Sequence, residues 1–414
     1  MKPTRLALAV AAAAMVSQPV LATNGDHLIG LGAQSRAMGG TGAAAFFGSE
    51  NALTNPALIG KMQGTEFVIG GTVFMPDVKA DATTFGPGKA KSDSDLSIIP
   101  EVSLATRIND NWVFGLGIFG TAGMGVDYRG NDELINGYSN LQLMKFAPTL
   151  AYNDSNWGIG FAPVIQYGAL DINYQFDNTD PSTSIGSGMS TDYGLGFNIG
   201  GYFDVTPELT LGLAYQSAID MKYKDQISNA SAPFSQDFGG PLDRPFGDNL
   251  EQPSEIKVGA AYTMGNMMYT ADYKRIGWGS AKGYKDFNWE DQDVFAIGAK
   301  YTANKYWLGV GYNYGSDPIK KLNSSGGDML KNAQNQVVNL FNNHFFPAVV
   351  ESHFTFGGGY SFTDNLTVEG AVTYAAEKTK TVDTGLISGG APGDTSHKVT
   401  HSQLGYTIAL RMNF

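Results

Sequence analysis

Segment after segment of this chain alternates large apolar side chains with small or polar ones at a period of two. Beyond residue 22 no apolar run is long enough to cross a bilayer as a helix. The C-terminal end shows the pattern most plainly. Leu404, Tyr406, Ile408, Leu410, Met412 and Phe414 fall on one face, and Gly405, Thr407, Ala409 and Arg411 on the other. Strands with one apolar face, in a chain without a spanning helix, can occupy a membrane only as a closed β-barrel, because lipid satisfies no backbone N–H or C=O. A soluble sandwich is the other architecture such alternation can build.

Alternation picks out fourteen segments, near 66–76, 96–108, 111–121, 141–152, 156–174, 191–205, 208–220, 254–264, 267–276, 293–302, 306–315, 352–363, 365–377 and 401–414. An even strand number suits a bacterial barrel, and so does the spacing. Six tight turns, such as Asn109-Asp110 and Gly265-Asn266, interleave with seven long polar loops. Short periplasmic turns and long extracellular loops would put both termini in the periplasm; a sandwich has no reason to alternate its loop lengths. Parity turns Trp112, Phe114, Leu116 and Ile118 outward, with Trp157, Ile159 and Phe161, the Leu209 to Tyr215 set and the Tyr306 to Tyr314 set. The opposite parity collects Glu101, Arg107, Lys145, Lys257, Asp272, Lys274, Lys300, Glu369 and Arg411. A lipid face would reject the basic ones at about 2–4 kcal/mol each near the midplane, so these residues are expected in the lumen.

The N-terminus reads as a secretory signal peptide over residues 1–22. Lys2 and Arg5 precede an apolar run from Leu6 to Val16, and Ala22 suits a cleavage site. The chain has 27 basic and 39 acidic residues, and it loses two further positive charges with the leader, which argues against nucleic acid as a partner. It has 0 cysteines, hence neither disulfides nor thiolate metal sites. With 53 glycines, 20 tyrosines and 24 phenylalanines, its mean hydropathy is only −0.15, as expected of strands that are apolar on one side. The terminal Phe414 resembles the C-terminal signal of bacterial outer-membrane proteins, and would engage barrel-assembly machinery.

Residues 23–65 do not alternate. They are rich in Gly and Ala, and as an external tail they would expose Leu28, Ile29, Leu31, Phe46 and Phe47. Folding into the lumen as a plug removes that problem; a periplasmic domain fragment is the alternative. The run Ala33-Gln34-Ser35-Arg36-Ala37-Met38-Gly39-Gly40-Thr41-Gly42-Ala43-Ala44, followed by Asn55-Pro56-Ala57, resembles the opening of the FadL/TodX family of hydrophobic-compound transporters. The resemblance implies a signal peptide (1–22), a hatch (23–65) and a fourteen-stranded antiparallel transmembrane barrel (66–414). It implies that Asn55, Pro56 and Ala57 are the hatch motif needed for transport, although Pro56 would also serve as a plain turn residue. It implies as well a kinked third strand through which ligand leaves sideways. Here Gly120, Thr121, Ala122, Gly123 and Gly125 would permit a bulge, or would simply end the strand.

A hydrophobic cargo needs an apolar landing site. Leu330, Val337, Leu340, Phe341, Phe345 and Phe346 have helical spacing in one long loop, and form either an extracellular groove or a stripe packed on the barrel rim. Phe234, Phe238 and Phe246 make a second candidate. A fatty-acid carboxylate would be held by lumenal cations, for which Arg107, Lys145, Lys257, Lys274, Lys300 and Arg411 qualify by parity, unless they are taken up in ion pairs. The stretch Gln166-Tyr167-Gly168-Ala169-Leu170, where a head-group cation is sought, contains none, and this leaves room for an uncharged hydrocarbon.

An enzyme is disfavoured: Ser352 and His353 are adjacent on a strand and face opposite sides, so they cannot form a nucleophile–base pair. A hydrophilic porin would need an unplugged lumen. The expectation is a monomeric outer-membrane protein in contact with lipid and lipopolysaccharide, with no cofactor and no metal. It would import hydrophobic molecules passively, long-chain fatty acids first and aromatic or alkane hydrocarbons as the alternative, with a hatch that moves by differential ligand affinity.

Overall fold

The computed structural model describes residues 23–176 and 180–414; the leader expected over 1–22 lies outside the described residues. Fourteen long strands follow one another: β1 (Thr65–Ala82), β2 (Ser97–Arg107), β3 (Trp112–Asp127), β4 (Tyr138–Asp154), β5 (Trp157–Gln175), β6 (Ser190–Asp204) and β7 (Leu209–Gln216), then β8 (Glu255–Met264), β9 (Met267–Ile276), β10 (Gln292–Thr302), β11 (Tyr306–Gly315), β12 (Ser352–Thr363), β13 (Leu366–Asp383) and β14 (Ser396–Asn413). Each pairs antiparallel with the next, and β14 pairs with β1 from His397↔Ala82 to Asn413↔Glu66. The sheet therefore closes into a barrel, and every strand has two neighbours.

Side-chain alternation sets the two faces. Ile159 and Phe161 on β5, Leu211 and Leu213 on β7, and Leu308 and Val310 on β11 are exposed on the outer wall. Glu101, Lys145, Lys274, Glu369 and Arg411 are buried on the inner wall, while Arg107, Lys257, Asp272 and Lys300 are partly buried. At the long-loop end the strands run past the apolar band. β1, β3 and β13 continue to Ala82, Asp127 and Asp383, and β4 and β14 start at Tyr138 and Ser396. Those extensions carry Asp77, Lys79, Asp81, Lys378, Lys380 and Lys398, whose charges break the apolar period without breaking the ladder. β7 stops at Gln216, short of the expected 220.

The segment before β1 consists of a hairpin (Thr23–Asn24 with His27–Leu28), a helix at Gly32–Ala37, a single turn at Asn51–Thr54 and a 3-10 turn at Pro56–Lys61. Its bonds reach strands all round the barrel: Thr355 on β12 donates to the Ala37 carbonyl at 3.0 Å, Asn198 on β6 to the Leu53 carbonyl at 2.5 Å, and Asp272 on β9 accepts from the Gly42 amide at 2.7 Å. Only a segment inside the lumen can do this. Close approach is possible because the facing wall lacks side chains in places. A Cβ at Gly160 on β5 would lie 2.3 Å from the Pro56 carbonyl carbon, and one at Gly39, whose φ is +73°, would lie 2.7 Å from the Ile297 and Tyr312 carbonyl oxygens.

The long-loop end has its own core. A helix at Met329–Phe345, capped by the Asp328 carboxylate accepting from the Lys331 amide at 3.1 Å, buries Val337 and Phe341 against Phe234, Phe287 and Trp289.

Candidate functional site

Behind the N-terminal hairpin lies an inner cavity of about 60 Å³, walled by Leu28, Ile29, Leu31 and Leu53 from the plug and by Lys145, Lys257, Lys274, Glu255 and Asp272 from the barrel. Lys257 pairs with Glu255 at 3.0 Å, and Glu255 also accepts from His27 at 2.6 Å. Asp272 accepts from the Gly42 and Ala43 amides at 2.7 and 2.8 Å. Lys145 and Lys274, 3% and 9% exposed, have no hydrogen bond or ion pair of their own among the described residues. An ammonium group kept from water without a partner is costly, and a bound anion would relieve that cost. Lys145 sits in register with Gln166. The cation absent from the 166–170 stretch is thus supplied by the neighbouring strand, and the Gln166 amide itself has no partner at either end.

The other candidate cations have different surroundings. Arg411 reaches Glu50 at 2.5 Å, Glu66 at 2.6 Å and Glu369 at 2.9 Å. Lys300 donates to Gln34 at 2.8 Å, and Gln34 donates to Glu369 at 2.9 Å. Arg36 of the plug pairs with Glu101 and donates to Thr407 at 3.2 Å. Arg107 sits at the short-turn end and donates to the Gly60 and Met62 carbonyls at 2.5 and 2.7 Å. These groups tie the plug to the wall. Asn55 does so too: it caps the Pro56–Lys61 turn by accepting from the Ala57 amide at 3.2 Å, and its Nδ2 donates to Ala43 at 2.6 Å and Gly201 at 3.1 Å. Pro56 and Ala57 are buried beside it.

β3 does not end at the glycines. It continues to Asp127 with a bulge between Gly120 and Ala122 that leaves Thr121 out of register with β4, and its hydroxyl has no partner. On the other side, the β2–β3 ladder stops at Glu101↔Phe119. From Phe119 to Asp127 every residue is buried, so both faces of this part of the strand are covered. The plug hairpin takes up part of the vacated edge: His27 bridges Ala122, and the Gly123 amide donates to the Asp26 carbonyl at 3.1 Å.

An outer cleft of about 530 Å³ opens among the long loops, lined by Phe85, Phe176, Phe234, Phe238, Leu330 and Ile387. Of the second candidate set, Phe234 and Phe238 line the cleft and Phe246 does not. Of the loop-helix residues expected to form a groove, Leu330 alone lines it and is 51% exposed, whereas Val337, Leu340, Phe341, Phe345 and Phe346 are buried. Their helical spacing marks the face that packs the loop core. Phe85, Phe176 and Ile387 lie on three different loops, and no local pattern in the sequence joins them. Ser352 bonds Tyr312 at 3.0 Å, while His353 is buried on the opposite face.

A long-chain fatty acid transport protein of Escherichia coli O6:H1 (strain CFT073) is 24% identical to this chain over 378 residues, spanning 78% of this chain and 84% of its own. The 47 kDa outer membrane protein of Pasteurella multocida is 22% identical over 360 residues, 79% of this chain and 81% of its own. Among solved structures, the P. putida toluene transporter TodX superposes with a TM-score of 0.67 at 18% identity, covering 93% of this chain and 99% of its own. A Pseudomonas aeruginosa FadL homologue gives 0.70 at 14% identity, covering 94% and 100%. At such identities the superpositions attest the fold. The family described as outer membrane protein transport protein (OMPP1/FadL/TodX) matches residues 24–326, and this chain belongs to it.

Proposed function

We propose that this outer-membrane transporter of hydrophobic compounds takes up long-chain fatty acids. The observation that carries the reading is the pair of buried, unpartnered ammonium groups of Lys145 and Lys274 in a cavity whose plug side is apolar. A carboxylate fills that cavity and accepts from both, which toluene cannot do; the alkyl chain, too long for 60 Å³, lies against Leu28, Ile29 and Leu53 once the hairpin has moved. The fatty-acid relative from Escherichia coli supports the same reading. Cargo enters at the outer aromatic cleft on the extracellular side, passes the plug, which acts as the hatch through Asn55, Pro56 and Ala57, and leaves sideways at the β3 bulge. The protein works as a monomer with both termini periplasmic, without a cofactor.

The test is uptake of labelled oleate and labelled toluene by an outer-membrane host lacking its own hydrophobic transporter. Lys145→Met and Lys274→Met should each lower oleate uptake roughly tenfold, the size of one charge-assisted hydrogen bond, and leave any toluene uptake unchanged. Toluene uptake alone would replace the fatty-acid reading with the hydrocarbon one, and sugar-driven swelling of liposomes would replace both with a porin.

A further inference from the structure

The loop between β9 and β10, residues 277–291, touches the plug on one side and, on the other, the Met329–Phe345 helix that packs behind the outer cleft. On the plug side, the Tyr284 hydroxyl donates to the Asp26 carboxylate, and the Trp278 ring lies 4.9 Å from His27. A Cβ at Gly25 would come within 2.7 Å of the same indole, so the hairpin turn is seated directly on it. Gln252 closes the arrangement, donating to Tyr284 at 3.1 Å and bonding His27 at 2.7 Å.

On the cleft side, the Trp289 indole N–H donates to Asn342 of the Met329–Phe345 helix at 2.9 Å, and Asn342 donates to the Phe287 carbonyl at 2.8 Å. Phe287 stacks on Phe341 at 5.9 Å, and Phe341 meets the cleft-lining Phe234 edge-on at 5.7 Å. The two sides are joined inside the loop, where Trp278, Tyr284 and Trp289 pack mutually at 4.7–4.9 Å. Trp278 is fully buried, and a closely packed aromatic block transmits a displacement rather than absorbing it.

We propose that the 277–291 loop is a two-sided clamp that holds the plug hairpin shut and is loosened from the outside, with Tyr284 and Trp289 as positioning residues. A molecule entering the outer cleft displaces Phe234 and Phe341. The helix bearing Asn342 moves with them, and the aromatic block passes the movement to Asp26 and His27, which close the β3 edge. The idea rests on the transport reading for its purpose, but its mechanics can be tested without any ligand, because coupling carried by a packed network appears when either end is disturbed.

The chain has 0 cysteines, so Asn24→Cys gives a single reporter in the hairpin. Its reaction rate with a small thiol reagent is measured in purified, detergent-folded barrel, with heat-modifiable migration on gels as the check of folding. Tyr284→Phe should raise the rate roughly three- to tenfold, the range of one hydrogen bond, and Asn342→Ala, which touches the clamp only from the cleft side, should raise it as well. Acceleration by Tyr284→Phe but not by Asn342→Ala, in folded barrels, would overturn the proposal, as would no change in either. Oleate should accelerate the reporter in the otherwise unaltered protein and add little in the Asn342→Ala background. Oleate binding that depends on Lys145 but leaves the reporter unmoved would refute the clamp while leaving the fatty-acid reading intact. Absence of oleate binding together with acceleration by Asn342→Ala would do the reverse.

Discussion

The two ends of the plug are held in opposite ways. Toward the short turns, Arg36, Glu50, Gln34 and Asn55 each find a partner on the wall, through Glu101, Arg411, Glu369, Lys300 and the Gly201 carbonyl, and only single atoms of the network, Glu101 Oε2 and Arg411 Nε, go without. Toward the long loops, around the Thr23–Leu28 hairpin, both ends of the Asn24 amide, both ends of Gln166 and the Thr121 hydroxyl are unsatisfied, and Lys145 and Lys274 face the cavity without partners. Buried polar groups are normally satisfied, and the exceptions mark places where something else is to be bound or moved. The difference therefore locates the anchored part of the plug and the working part.

The strongest challenge to this comparison is Arg411→Met. It removes the shared counter-ion of three buried carboxylates, and unfolding should become easier by about 3–5 kcal/mol, read as the denaturation midpoint of the folded barrel. A midpoint unchanged from that of the parent would mean that the network anchors nothing. Next in size, deleting Thr121 restores the β3–β4 register at the bulge, and oleate uptake should fall several-fold while the melting temperature holds or rises. Unchanged uptake would remove the bulge from the route. The smallest effect belongs to acidification. Burial and the neighbouring His397, whose Nε2 lies 3.0 Å from its Nδ1, keep the His344 imidazole well below its ordinary value. The unfolded chain takes up a proton below about pH 6.5 and the folded one does not, so the stabilisation is complete above that pH and is lost as pH falls toward the folded value. Wild type should lose more stability than His344→Asn between neutral pH and pH 5, and equal losses would show that this histidine is not the group responsible.

Much of the wall could be read from alternation, since a period of two fixes which side chains point inward whatever the global shape. Parity gave Lys145, Lys274, Lys300 and Arg411 the same inward sense; it could not tell that Arg411 meets three carboxylates while Lys145 meets none. That depends on which plug residue lies opposite, and the plug has no period to read. Strand length was underestimated wherever charges such as Lys79 and Lys378 interrupt the apolar series, because the ladder needs backbone pairing and tolerates any side chain in water. The outer cleft is legible only in part, through Leu330, Phe234 and Phe238: helical spacing finds what a helix buries, whereas Phe85, Phe176 and Ile387 converge only after three loops have folded.

Arg411 also has a place in time. It lies on β14, the last strand to be synthesised, and the carboxylates it meets come from the plug, from β1 and from β13. Until that strand docks on β1, Glu50 and Glu66 have no counter-ion from it, and a plug that arrives early is poorly held. Seating of the plug and closing of the barrel are thereby made one step of assembly, in which the final strand acts as a proofreader for the plug.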